Sequence, residues 1–165
     1  MPEEFENPEG PDLELPPSFL WGDSSIDRPL PETSVLVEVS IQELSREVTQ
    51  YGDAFRVILT DGIRQMSILV GPFESQAILH VLKQAIPDRP MTHDLLKSVI
   101  QRFGGSVKRV VIDDLHNSTY YAKIYLDTLE GEVEIDSRPS DAIAIAVRFD
   151  APIMVSEDIL EIADE

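Results

Sequence analysis

Val35-Leu36-Val37-Glu38-Val39-Ser40-Ile41-Gln42 sets Val35, Val37, Val39 and Ile41 in alternation with Leu36, Glu38, Ser40 and Gln42. That is the period-two signature of a strand with one buried face. A folded domain starts here. Phe55, Val57 and Leu59 continue the alternation, Asp61-Gly62 is a tight-turn pair, and Met66, Ile68 and Val70 form a returning strand. Residues 35–70 therefore read as a three-stranded antiparallel meander.

Gly71-Pro72 closes the third strand. Phe73, Ala77, Ile78, Val81, Leu82, Ala85 and Ile86 then recur at helical spacing, and Pro87 marks the end. A second helix is predicted from Thr92, read as its N-cap, through Leu95, Leu96, Val99, Ile100 and Phe103 to a stop at Gly104-Gly105. Strands follow at 107–115, 119–127 and 132–136, the last two joined by a turn containing Gly131. In the middle one Tyr120, Ala122, Ile124 and Leu126 share a face opposite to Lys123 and Tyr125. A third helix is predicted over 139–149 and a short C-terminal helix over 156–163, capped by Ser156. The order is βββααβββα plus that last helix, grouped instead of alternating. Grouping argues for an α+β fold with a mainly antiparallel sheet and three main helices.

Upstream of Val35 the character changes. Residues 1–34 hold 7 of the 12 prolines and 9 acidic residues against the single basic Arg28. So little apolar surface cannot offset the entropy of ordering a backbone, and the segment reads as an extension, disordered or loosely docked. Phe19-Leu20-Trp21 is its one apolar cluster, suited to anchor on the domain or to dock a protein partner. The whole chain, 165 residues with 31 acidic and 13 basic side chains, carries a net charge of −18. Such a field repels polyphosphates and anionic lipid, which argues against passive coating of nucleic acid. Four lysines against 31 acids also match the surfaces of proteins adapted to high salt. Zero cysteines exclude disulfide scaffolds, thiolate metal sites and a cysteine nucleophile. No apolar run is long enough to span a membrane and MPEEFENPEG is no secretion signal, so the expected location is cytoplasmic. Exposed sheet edges make a homo-oligomer the expectation.

Two polar segments sit at predicted helix starts, where free backbone N–H groups and the helix dipole favour anions. The first is Arg89-Pro90-Met91-Thr92-His93-Asp94. The second is Asp136-Ser137-Arg138-Pro139-Ser140-Asp141, which leads into the apolar helix that ends with Arg148. Capping and dipole compensation explain Thr92, Asp94, Ser140 and Asp141 as well as a ligand site does. Asp141 and Arg148, two turns apart on so apolar a helix, are expected to be paired or to line a cleft. His80 reads as a boundary residue and His116 as a solvated turn residue, and the three histidines share no metal spacing.

At these segments the sequence resembles the bifunctional nuclease domain family. Arg89-Pro90-Met91-Thr92-His93-Asp94-Leu95 is similar to its first motif, and Asn117 with Tyr121-Ala122 to its central strand. Arg138-Pro139-Ser140-Asp141-Ala142-Ile143-Ala144 with Arg148 and Ala151-Pro152-Ile153 resembles its signature, and Gly71 and Glu74 also fit. The likeness covers roughly residues 35–160. Met66-Ser67 and Ser75 depart from it where Leu-Pro and alanine are usual, outside the polar motifs. The resemblance implies an α+β domain and nuclease activity on RNA and DNA.

Residues and resemblance together put forward His93, Asp94, Asp136, Arg138, Asp141 and Arg148 as catalytic candidates. Glu74, Arg89, Thr92, Asn117 and Ser140 are the substrate-binding candidates. In a phosphodiesterase the arginines supply positive charge, and His93 or an aspartate serves as base. Alternatively Asp94, Asp136 and Asp141 hold a Mg²⁺ through water. The competing reading is a non-enzymatic binding module for a small anionic ligand or a protein partner.

Overall fold

A computed structural model describes residues 35–49 and 52–164. The reading of residues 1–34 as an extension lies outside the described residues. The elements are β1 (Leu36–Thr49), β2 (Gly52–Thr60), β3 (Gln65–Val70), α1 (Pro72–Leu82), α2 (Thr92–Arg102), β4 (Ser106–His116), β5 (Thr119–Thr128), β6 (Gly131–Ser137), α3 (Pro139–Phe149), β7 (Ile153–Ser156) and α4 (Glu157–Asp164). The α+β class and grouped order are as the sequence predicts.

The strands form one sheet in the order β3-β2-β1-β7-β4-β5-β6. Its two halves are β1-β2-β3, the predicted meander, and β4-β5-β6, each antiparallel throughout. The strand between them, β7, is absent from the sequence-based reading. It runs antiparallel to β1, with Val37 opposite Val155, and parallel to β4, with Val111 opposite Met154. Four residues are too few to display a period, so Ile153-Met154-Val155-Ser156 carried no strand signal of its own.

Two other boundaries move for local reasons. β1 continues to Thr49 through a register shift between Ile41 and Glu43, which breaks the alternation beyond Gln42. α1 ends at Leu82, not Ile86. There Gln84 takes a left-handed φ of 53°, Gln84 N–H donates to Val81 O and Ala85 N–H to His80 O. This is a Schellman stop made without glycine, so Ala85 and Ile86 fall outside the helix. α2 stops the same way at Gly104, which the sequence does announce.

One face of the sheet carries the helices. α3 is central, packing on β4 and β5 and flanked by α1 and α2. Its Ala142, Ala144 and Ala146 are fully buried, letting the backbone approach the strands, while Ile143 and Ile145 fill the core. Burying each of these isoleucines contributes about 2 kcal/mol. Val110, Ile112, Ala122, Ile124 and Leu126 supply the sheet side of that core. On the opposite face Lys123 is buried between Asp113 (3.5 Å) and Glu134 (2.5 Å), and Arg109 stacks 3.9 Å from the Tyr125 ring centre. Burial pushes the pKa values of Asp113 and Tyr125 up. Among the described residues no helix is long and apolar enough to cross a membrane.

Candidate active site

The helices α1, α2 and α3 begin alike. Their N-caps are Gly71, Met91 and Arg138, all in extended conformation, and each helix carries a carboxylate at its third position: Glu74, Asp94 and Asp141. Acids there complement the helix dipole. Among the described residues, Asp94 alone of the three folds back on its own cap, accepting Met91 N–H at 2.9 Å. Thr92 is therefore the first helical residue of α2 and not its cap, because Leu95 N–H already bonds to Met91 O. Ser140 likewise lies inside α3, after Pro139, and is buried without capping it.

The remaining carboxylate oxygens reach sideways and join the helices. His93 on α2 lies 3.1 Å through Nε2 from Asp141 Oδ1 on α3. Arg138 donates Nε to Asp141 Oδ2 at 2.7 Å and Nη1 to Glu74 Oε1 at 3.0 Å, so Glu74, Arg138, Asp141 and His93 form one chain across three helix starts. The His93 bond first, then Arg138, holds the Asp141 carboxyl below its usual range despite partial burial. An ionised carboxylate only accepts, so Nε2 of His93 carries the proton and Nδ1 is the basic nitrogen. Both carboxylate contacts in turn raise the Arg138 pKa.

Arg148 is placed differently. Its side chain is 3% exposed and donates Nε to Asp94 Oδ1 at 2.7 Å and Nη1 to Ala77 O and Ala144 O. Burial pushes Asp94 up, but the Met91 N–H bond and Arg148 more than offset it, and the carboxyl ends below its usual range. The guanidinium thus ties α1, α2 and α3 together from inside. Asp141 and Arg148, expected to pair or to line a cleft, do not pair with each other, since each bridges to α2. Lys97, which the sequence reading passed over, donates Nζ to Arg148 O and lies 5.4 Å from the Phe149 ring centre. Its spacing of four from His93 on one helical face was the available signal.

Glu74, His93, Asp94, Arg138, Asp141 and Arg148 are thus brought together. The pair of segments converges. Asp136 is not part of the cluster: it lies opposite Lys123 in the β5–β6 register, on the sheet face away from the helices, because Ile135 takes the core side. Arg89 and Thr92 are exposed, and Asn117 sits in the β4–β5 turn with φ 48°. Among the described residues no side-chain hydrogen bond links these three to the cluster. His116 is exposed as expected. His80 is half-buried, lies within electrostatic reach of Asp94, and its Nδ1 is buried with no partner.

The Mg²⁺ arrangement does not fit these positions. Asp94 is committed to Arg148 and the Met91 N–H, Asp141 to His93 and Arg138, and Asp136 faces away. Among the described residues no group of three or more His, Asp or Glu side chains is arranged to hold a metal ion.

With three helix starts bound by charged side chains over a mainly antiparallel sheet, the class of protein is an α+β domain with a polar acid–base cluster. Residues 57–165 match the Bifunctional nuclease domain, and the chain belongs to that family. The match starts inside β2, so it leaves out β1, which the resemblance had included. An uncharacterized protein of Mycobacterium tuberculosis is 39% identical over 100 residues, 61% of this chain and 59% of its own length. Bifunctional nuclease 1 of Oryza sativa subsp. japonica is 33% identical over 97 residues, 57% of this chain and 29% of its own length. Bifunctional nuclease 2 of Arabidopsis thaliana is 30% identical over 95 residues, again 29% of its own length. The chain thus spans about three-fifths of the mycobacterial relative and less than a third of the plant ones.

Proposed function

We propose that this domain hydrolyses phosphodiester bonds in RNA or DNA, with His93 as general base, Asp141 as the residue that orients it and Arg138 as the phosphate-binding cation. The observation that carries the reading is the hydrogen bond between His93 and Asp141 across 48 positions of sequence, with Arg138 on the same carboxylate. A carboxylate on Nε2–H fixes the tautomer and stabilises the imidazolium formed when Nδ1 takes a proton from water. The hydroxide so produced attacks phosphorus, the bond to the leaving oxygen breaks, and the imidazolium returns the proton to that oxygen. Arg138 is 65% exposed, with Nε and Nη1 held by Asp141 and Glu74. Nη2 is left to bind a non-bridging oxygen and the charge that develops there. The net charge of −18 disfavours long polyanions and points to short or single-stranded substrates.

The test is cleavage of short RNA and DNA strands by the purified chain, with and without Mg²⁺, against His93→Gln and Arg138→Ala. Loss of the base lowers kcat by about 100-fold or more. Equal cleavage by parent and both variants assigns the activity to a contaminant and removes the proposal. Calorimetry with mononucleotides separates the binding-module reading, which predicts retention without turnover.

A further inference from the structure

α2 exposes the wrong residues for a helix in contact with water alone. Leu95, Leu96 and Val99 are 59%, 42% and 43% exposed, and Phe103 at its C-cap is 81% exposed. No residue of α2 is buried. Its single acid, Asp94, turns inward to Arg148, so the outward stripe holds no carboxylate. In a chain where 31 of 165 residues are acidic, that is a local reversal of the surface chemistry.

The stripe continues onto the neighbouring hairpin. A Cβ built on Gly104 would lie 3.5 Å from the Leu129 side chain, so Leu129, 90% exposed in the β5–β6 turn, lies against the residue that follows Phe103. Val133 and Ile135 in β6 stand opposite the core residues Leu126 and Ile124, hence on the helix side of the sheet. Yet they stay 43% and 42% exposed. The acids of β6, Glu132, Glu134 and Asp136, alternate to the other face.

We propose that this face, α2 with the inner side of the β5–β6 hairpin, is the contact between two copies of the chain. Two arguments select a second copy. The patch offers on the order of 600 Å² of apolar surface, at the upper end for a monomer. An isologous pair doubles this to roughly 1,200 Å², where stable interfaces begin. The second argument is electrostatic: two chains of charge −18 repel, and a face whose α2 stripe and β6 inner side present no carboxylate, with Glu130 of the turn at its margin, is where they approach at least cost.

Sedimentation velocity on the full chain over a dilution series tests this, with the variants Val99→Glu, Phe103→Glu and Leu129→Glu. All three sites are exposed, so circular dichroism is expected to show an intact fold, and Leu129→Glu, in a turn, reports even if a helix variant does not fold. The parent is expected to sediment as a dimer, and each variant to raise the dissociation constant by about 30-fold or more. A parent that stays monomeric at every concentration overturns the proposal. So does a dimer indifferent to the three charges, or a monomer that associates only once residues 1–34 are removed, which would make that segment the occupant.

Discussion

Arg138 and Arg148 lie ten positions apart at the two ends of one helix, and the structure assigns them opposite fates on mutation. Arg148→Met keeps the aliphatic stem but removes a guanidinium that is 3% exposed and makes a 2.7 Å bond to Asp94 and two bonds to the carbonyls of Ala77 and Ala144. Breaking a buried ion pair from one side costs about 3–5 kcal/mol. Asp94 keeps the Met91 N–H and is 31% exposed, which puts the cost at the low end, about 3 kcal/mol. That is a large share of the roughly 5–15 kcal/mol that holds a domain folded. Arg138→Ala removes a side chain that is 65% exposed and costs about 1 kcal/mol or less. Urea unfolding followed by circular dichroism measures both. Asp94→Ala and the double variant Asp94→Ala, Arg148→Met complete a double-mutant cycle, with a coupling of about 2 kcal/mol. If Arg148→Met unfolds within about 0.5 kcal/mol of the parent, or Arg138→Ala costs as much as Arg148→Met, the division into an internal tie and an outer ligand-binding cation is wrong.

Asp94 and Asp141 both have folded pKa values below the usual 3.8, so their contribution is complete above about pH 4 and is lost as pH falls through the lowered values. Asp141→Asn should therefore lose stability less steeply on acidification than the parent, and parallel urea midpoints across the acid range would contradict this. At Gly71 an added Cβ would stand 2.5 Å from Glu74 Oε2 while φ there is an ordinary −72°. Gly71→Ala is expected to leave the fold intact, push the Glu74 carboxylate off Arg138 and shift KM for a phosphodiester more than kcat; a crystal structure with the 3.0 Å contact unchanged refutes it. In the β2–β3 turn Asp61 accepts the backbone N–H groups of Arg64 and Ile63, which hold its pKa at about 2. Asp61→Ala should speed hydrogen exchange at those two amides, and unchanged protection would show that the turn holds without them.

Much of this architecture was readable from residue order because its signals are local. Alternation in β1, β2, β3 and β5, glycine at the end of α2 and proline at the start of α3 each act within a few positions. What escaped depends on distant partners. β7 is a strand only because β1 and β4 flank it, and Gln84 stops α1 in a conformation that glycine would normally mark. The site divides the same way. Charged residues at helix starts identified His93, Asp94, Arg138 and Asp141. Which acid pairs with which arginine is set by how α2 and α3 pack, so of the two alternatives for Asp141 and Arg148 a direct pair does not form, and the place of Lys97 depends on the same packing. Asp136 failed for a simpler reason: one step along a strand from the core-facing Ile135 points away from the helices.

The position of β7 also governs when the molecule can assemble. Residues 36–70 and 106–137 can pair within their own hairpins as soon as they are made. β1 and β4 nevertheless each present a bare edge to the surroundings until residues 153–156 emerge and slot between them. A chain lacking that short segment has two ribbons joined only through the helices packed on them, with two unpaired edges of the kind that aggregate. Residues 153–156 thus decide whether the two earlier three-stranded halves act as one sheet.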